Sequence, residues 1–194
     1  MVALVRIVVS GTHASGKSTL ISDFALRHPD YTVLPDPFEL LDEPADVPSA
    51  GVFASQLHLT ADRLTEEHPE KDLIAERGPL DFLAYLLALA DLTGRPLDAE
   101  TLERATTRTA EALRAVDVLI VLPLTGRDPI HVSTDEHLEL RVAMNDVLLE
   151  LLDDQDVIGE DVTVVEVAGT PAERLAAVEA LWGDGPTPWR RDEG

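Results

Sequence analysis

The chain has 194 residues, which suits one α/β domain with a substantial core, given that domains typically run about 100–200 residues. It contains no cysteine, which excludes a disulfide framework, a thiolate metal site and a cysteine nucleophile. Acidic residues number 37 against 15 basic, giving a net charge of −22 that repels nucleic acids and anionic membranes and is expected as a solvated acidic surface.

In chain order, residues 4–9 are β-branched and apolar and read as a buried strand. Residues 11–18 follow as a glycine-rich turn, and residues 19–27 read as a helix that Pro29 ends. A second strand is expected at 32–34, then an irregular, proline-bearing stretch at 36–50. A helix over 51–67 places Phe53, Leu57 and Leu64 toward the core, and Pro69 follows it. The third strand, 72–75, is short; a helix at 79–91 opens on proline and stops at Gly94. Asp98 is the expected N-cap for a helix running to Arg114, and residues 116–122 read as the fourth strand. Ser133-Thr134-Asp135-Glu136 and Thr170-Pro171-Ala172-Glu173 both fit a capping box, so helices are expected to start at Thr134 and Pro171, with a fifth strand at 162–167 between them. The last stretch, 183–194, reads as a loose tail after a single domain over 1–182.

Strands alternating with helices predict an α/β fold with a five-stranded parallel sheet flanked by helices, and the G-x-x-x-x-G-K-S run of residues 11–18 after the first strand makes it the three-layer P-loop NTPase fold. The longest apolar stretch, 82–90, is far shorter than the roughly 20 residues a bilayer span needs, and the N-terminus leads straight into a strand; a soluble, cytoplasmic protein is the expectation. Leu83, Leu86, Leu87 and Ala90 suit either the core or a seam with a second copy, and core is the expectation.

Gly11-Thr12-His13-Ala14-Ser15-Gly16-Lys17-Ser18 spells G-x-x-x-x-G-K-[ST] between a strand and a helix. Glycines let the backbone turn tightly so that its N–H groups, as far as Thr19, bind phosphates. Lys17 reaches the β- and γ-phosphates, and Ser18 ligates Mg²⁺. The expected ligand is Mg·ATP, or another nucleoside triphosphate.

Further chemistry is expected where the other strands end, because ligands of open α/β sheets gather at the carboxyl edge. Asp36, after the second strand, is the candidate general base for an acceptor hydroxyl, with Glu39 as understudy. Glu76, after the third strand, can hold Mg²⁺, and Arg77 beside it can pair with the acceptor or the moving phosphoryl group. Gln56 can offer its amide to a base or a sugar. Arg127 and Arg141, in a flap over about 125–141, are the candidates for charge stabilisation over a closed triphosphate. His13 is assigned neither metal nor catalysis.

This order of motifs resembles the P-loop small-molecule kinases, most of all the deoxynucleoside kinases: the P-loop, Pro35-Asp36-Pro37, Phe53 with Gln56 and Arg63, Glu76-Arg77-Gly78, and the stretch from Arg127 to Arg141. The resemblance implies that Asp36 is the base, Gln56 reads a nucleobase, Glu76 holds magnesium and Arg77 positions the acceptor hydroxyl. The sequence departs from the family in Asp where Glu is usual, in Gly78 where Ser is expected, and in a lid without a dense arginine cluster. The stretch from Arg77 to Tyr85 also looks like AAA-type ATPase-like proteins related to nicotinamide riboside kinase. The leading expectation is an ATP-dependent kinase of a small metabolite, nucleoside or nucleotide; the alternative is a regulatory ATPase that switches a protein partner.

Overall fold

The computed structural model describes residues 4–40, 48–66, 72–124 and 137–181. Strands β1 (Arg6–Ser10), β2 (Thr32–Leu34), β3 (Leu73–Glu76), β4 (Val118–Val121) and β5 (Thr163–Glu166) form one five-stranded sheet in the order β2-β3-β1-β4-β5. Every neighbouring pair is parallel, as the β/α alternation predicts. In the central register Val9 lies opposite Glu76 and Ser10 opposite Val121. The strand that feeds the P-loop and the strand that carries the candidate metal carboxylate therefore end side by side.

Alternation along the strands sorts the core into two layers. Val8, Leu73, Ala75, Leu119 and Val121 belong to one apolar cluster, whereas Ile7, Val9, Ile74, Val118 and Ile120 belong to the other. The second layer is closed by α1 (Lys17–Arg27) and α7 (Pro171–Ala180), through Leu20, Ile21, Phe24, Leu175 and Val178. The first is closed by α2 (Ala50–Thr65), α3 (Pro79–Thr93), α4 (Ala99–Leu113), α5 (Leu138–Leu152) and the short α6 (Gln155–Ile158). Helix α3 is the hub of that layer: Leu80, Phe82, Leu83, Ala84, Leu86 and Ala88 are all buried, which places Leu83 and Leu86 in the core.

Local chemistry sets the helix starts. Ser49 Oγ accepts from Val52 N, Asp98 Oδ1 from Thr101 N, and Thr170 and Glu173 complete a reciprocal capping box. The described part of α5 begins at Leu138, after a non-helical His137 with φ 13° and ψ 60°, and the start expected at Thr134 lies outside the described residues. The helix's first inward residue, Leu140, is buried there against the core, which places the neighbouring Arg141 over the P-loop. Within the stretch expected to be irregular, Pro37–Leu40 forms a 3-10 turn that Asp36 initiates by accepting from Phe38 N at 3.0 Å. Arg127, the flap over 125–136 and the tail over 183–194 lie outside the described residues. No described helix is long and apolar enough to cross a membrane.

Candidate functional site

A cavity of about 750 Å³ opens at the carboxyl edge of the sheet, walled by His13, Ala14, Ser15, Gly16, Lys17 and Ser18 of the P-loop. Asp36, Phe38, Phe53, Glu76, Arg77, Tyr85 and Arg141 face it from the other elements. The loop needs its glycines. Gly16 adopts φ 92°, and at Gly11 (φ 151°) a Cβ would lie 2.9 Å from the Leu122 carbonyl oxygen.

Lys17 is buried, and its Nζ donates to the Thr12 carbonyl at 2.9 Å. Burial, with the Arg77 cation nearby, lowers its pKa from 10.5 to about 7, against the pull of Asp81, Glu76 and Asp36. A desolvated ammonium of this kind gains most from an anion placed against it. Ser18 Oγ donates to Glu76 Oε1 at 2.7 Å, bringing a hydroxyl and a carboxylate together at the start of α1. Burial raises the Glu76 pKa, with the Ser18 hydrogen bond and Lys17 opposing it. Both are hard oxygen donors of the kind Mg²⁺ takes one or two of, completing its shell with water and phosphate. Among the described residues no group of three or more His, Asp or Glu side chains forms a fuller metal cage. Ser15 Oγ is buried in this loop without a hydrogen-bond partner, an orphan that a phosphate oxygen could satisfy.

Arg77 sits at the β3–α3 junction with φ 64°, a left-handed backbone that L side chains rarely adopt. Three contacts hold it there. Its Nε donates to Asp36 Oδ2 at 2.7 Å, one terminal nitrogen donates to the Gly11 carbonyl at 3.1 Å, and Asp81 Oδ1 lies 3.9 Å away. The guanidinium carbon is also 5.8 Å from the Phe38 ring centroid and 5.6 Å from that of Tyr85. Burial works against the charge, but Tyr85, Asp36 and Asp81 outweigh it and raise the pKa above the ordinary arginine value. The arginine is a fixed cation, and it ties Asp36 to the first residue of the P-loop.

Asp81 and Tyr85, one turn apart on α3, brace the loop from beneath. Asp81 is wholly buried and accepts from Ser10 Oγ at 2.7 Å, Gly11 N at 2.9 Å and Gly78 N at 3.0 Å. The Tyr85 hydroxyl accepts from His13 N at 3.0 Å and lies 3.3 Å from Thr12 Oγ1. The sequence reading missed both; the available signal was a lone carboxylate and a lone phenol in an otherwise apolar helix. It also missed Arg174 of α7, which is buried and donates through Nε to the Gly169 carbonyl at 2.8 Å and through a terminal nitrogen to the Ser15 carbonyl at 2.7 Å. Nothing local marks a charge on the last helix as a neighbour of the first loop.

The remaining expected site residues divide. Arg141 reaches the loop: its Nε donates to the His13 carbonyl at 2.8 Å and a terminal nitrogen to the Ala14 carbonyl at 3.2 Å. Gly11 and Thr12 are buried behind the cavity wall, Thr19 is exposed, and none of the three lines the cavity. Gln56 is buried and its Oε1 has no hydrogen-bond partner, yet its side chain is not part of the cavity wall. Arg63 donates to the Pro35 carbonyl at 2.9 Å and so supports the backbone before Asp36.

No protein-family model and no curated protein matches the sequence. Among solved structures, deoxyadenosine kinase from M. mycoides with bound dATP matches with TM-score 0.67 and 16% identity, over 92% of this chain and 100% of that one. Thymidylate kinase from Candida albicans matches with TM-score 0.59 and 15% identity, over 94% of this chain and 92% of its own. The NadR protein in complex with NR matches with TM-score 0.62 and 16% identity, over 92% of this chain but 50% of its own. The chain thus has the five-stranded α/β fold of P-loop kinases that act on nucleosides and nucleotides.

Proposed function

We propose that the protein is an ATP-dependent phosphotransferase whose acceptor is a hydroxyl group of a small metabolite of the nucleoside or nucleotide class. The observation that carries this reading is the Asp36–Arg77 pair, which faces the same cavity as Lys17, Ser18 and Glu76. A site that only hydrolysed nucleotide would not need a carboxylate held by a buried arginine across from the phosphate loop. The kinase fold and the neighbour with bound dATP support it.

Residues 13–16 and Lys17 would hold the polyphosphate, and Ser18 with Glu76 would hold Mg²⁺. Bound Mg·ATP supplies the transferable phosphoryl group and neutralises part of its charge. Asp36 accepts the proton of the acceptor hydroxyl as that oxygen bonds the terminal phosphorus and the bond to the ADP oxygen breaks. A placed base of this kind contributes about 10²–10⁴-fold. Arg77 orients Asp36 through its 2.7 Å contact and keeps a cation at the acceptor side of the cavity. Arg141, which donates to the carbonyls of His13 and Ala14, would supply charge stabilisation to the triphosphate. Its proposed partner Arg127 and the proposed base-reading role of Gln56 complete the assignment made from the sequence.

The test is a panel: the protein, ATP and Mg²⁺ with nucleosides, nucleotides and sugars, read by ADP release and by mass of the product. Acceptor-dependent ADP release with a phosphorylated product supports the proposal. Acceptor-independent hydrolysis across the panel overturns it in favour of a nucleotide switch.

A further inference from the structure

Five consecutive carbonyl oxygens of the P-loop each accept from a side-chain cation. Arg77 donates to the carbonyl of Gly11, Lys17 to Thr12, Arg141 to His13 and Ala14, and Arg174 to Ser15. The four cations come from the β3–α3 junction, α1, α5 and α7. In a chain with 15 basic residues against 37 acidic ones, this concentration on one backbone segment is not what a solvated charge distribution produces.

Peptide geometry gives the arrangement a consequence. In a planar trans peptide the C=O of one residue and the N–H of the next point in opposite directions. Holding the Ser15 carbonyl against Arg174, which does not line the cavity, therefore turns the Gly16 amide away from Arg174, toward the cavity that Ser15 and Gly16 wall. Three of the four cations also face that cavity themselves. Arg174 does not. It stands behind the loop at 5% exposure, spanning the Ser15 and Gly169 carbonyls at 2.7 and 2.8 Å.

We infer that Arg174 is a positioning residue for the phosphate donor: it sets the affinity of the loop for a polyphosphate by fixing the Ser15–Gly16 peptide, without touching the ligand. Gly169 contributes to the clamp, since it holds φ 103° and a Cβ there would meet Glu173 Oε2 at 2.6 Å. The capped start of α7 and the P-loop are thereby one unit. The inference rests on the proposed reading only in that a nucleoside triphosphate binds the loop; it needs no identified acceptor.

Calorimetric titration of the full chain with Mg·ATP tests it, on Arg174→Met, Arg174→Lys and the control Arg27→Met. Arg27 ties α1 to the same helix through Glu179 at 2.9 Å, far from the loop, so its loss reports the merely structural cost of loosening α7. Arg174→Met is expected to weaken Mg·ATP roughly tenfold to a hundredfold, the range for losing a charged hydrogen bond. Arg174→Lys, which can keep one of the two carbonyls, falls between it and the wild type, and Arg27→Met binds normally even if it melts earlier. In a kinase assay, KM for ATP rises while KM for the acceptor and kcat at saturating ATP hold. Wild-type affinity in Arg174→Met, or an equal loss in Arg27→Met, overturns the inference. If Arg174→Met does not fold, Arg174→Lys decides: affinity at least threefold weaker supports the clamp, unchanged affinity overturns it. A wild-type protein that takes up no Mg·ATP is a separate result, visible before any variant is made, and it removes the proposed function and this inference together.

Discussion

Replacing Asp81 by Asn changes one atom of a side chain that no water reaches and that joins three backbone or hydroxyl donors. An amide presents one accepting oxygen where the carboxylate presents two. If that oxygen faces Gly11 N, the amide nitrogen faces Ser10 Oγ and Gly78 N. The Ser10 hydroxyl can rotate and accept, but the Gly78 N–H is left opposite another donor. One buried donor left unsatisfied costs about 1–3 kcal/mol. The Arg77 cation, 3.9 Å from Asp81 Oδ1, also loses a countercharge in a buried setting. Together these give a destabilisation of about 3 kcal/mol. For a domain of this size that corresponds to a melting temperature roughly 6–12 °C lower. Circular dichroism melts of wild type, Asp81→Asn and Asp81→Ala provide the assay, with Asp81→Ala the worse of the two because it strips all three donors. A variant Asp81→Asn that melts within a degree of wild type would refute the account of Asp81 as the brace between β1, the P-loop and α3.

Other outcomes follow from the same geometry. Because Lys17 in the free protein titrates at about 7 and the phosphate-binding form is the ammonium, Mg·ATP affinity falls as pH rises above that value, by about tenfold per unit once deprotonation dominates. Calorimetry at pH 8 in two buffers of different ionisation enthalpy should show proton uptake on binding, and Lys17→Met should abolish both uptake and affinity. The stability contribution of Lys17 runs the other way: its folded pKa is lowered, so the unfolded chain binds the extra proton, and stability of the ligand-free protein rises with pH between about 7 and 10.5. Asp36→Asn should lower kcat about 10²–10⁴-fold with Mg·ATP affinity nearly unchanged, measured by turnover beside calorimetry. Glu76→Gln keeps a partner for the Ser18 hydroxyl but gives up the charge, so the magnesium concentration for half-maximal turnover should rise several-fold or more.

Much of the architecture is readable along the chain because its causes are local. The β-branched runs that become β1 and β4, the prolines that open α3 and α7, the Gly94 stop and the Asp98 and Thr170 caps each act within a few residues of themselves. The same holds for the phosphate loop, whose spacing alone brings Lys17 and Ser18 to one end of β1. Strand order gives Glu76 and Arg77 their place, since the carboxyl edge of a parallel sheet gathers whatever ends there. The non-helical His137 just before α5 was not legible, because no local pattern announces its backbone.

What the sequence by itself determined is the alternation, the sheet and the phosphate loop, because periodicity and glycine placement act on neighbouring residues through sterics and hydrogen bonding that need no distant partner. What only the tertiary structure decided is the support of that loop. Asp81 lies 70 residues from Gly11 in sequence, Arg141 lies 128 from His13, and Arg174 lies 159 from Ser15, and their roles exist because chain folding brings a buried charge to a backbone group it could not otherwise meet. In isolation each reads as an ordinary helical charge. Desolvation beside an unpaired carbonyl or amide turns it into a determinant of where the loop's amides point.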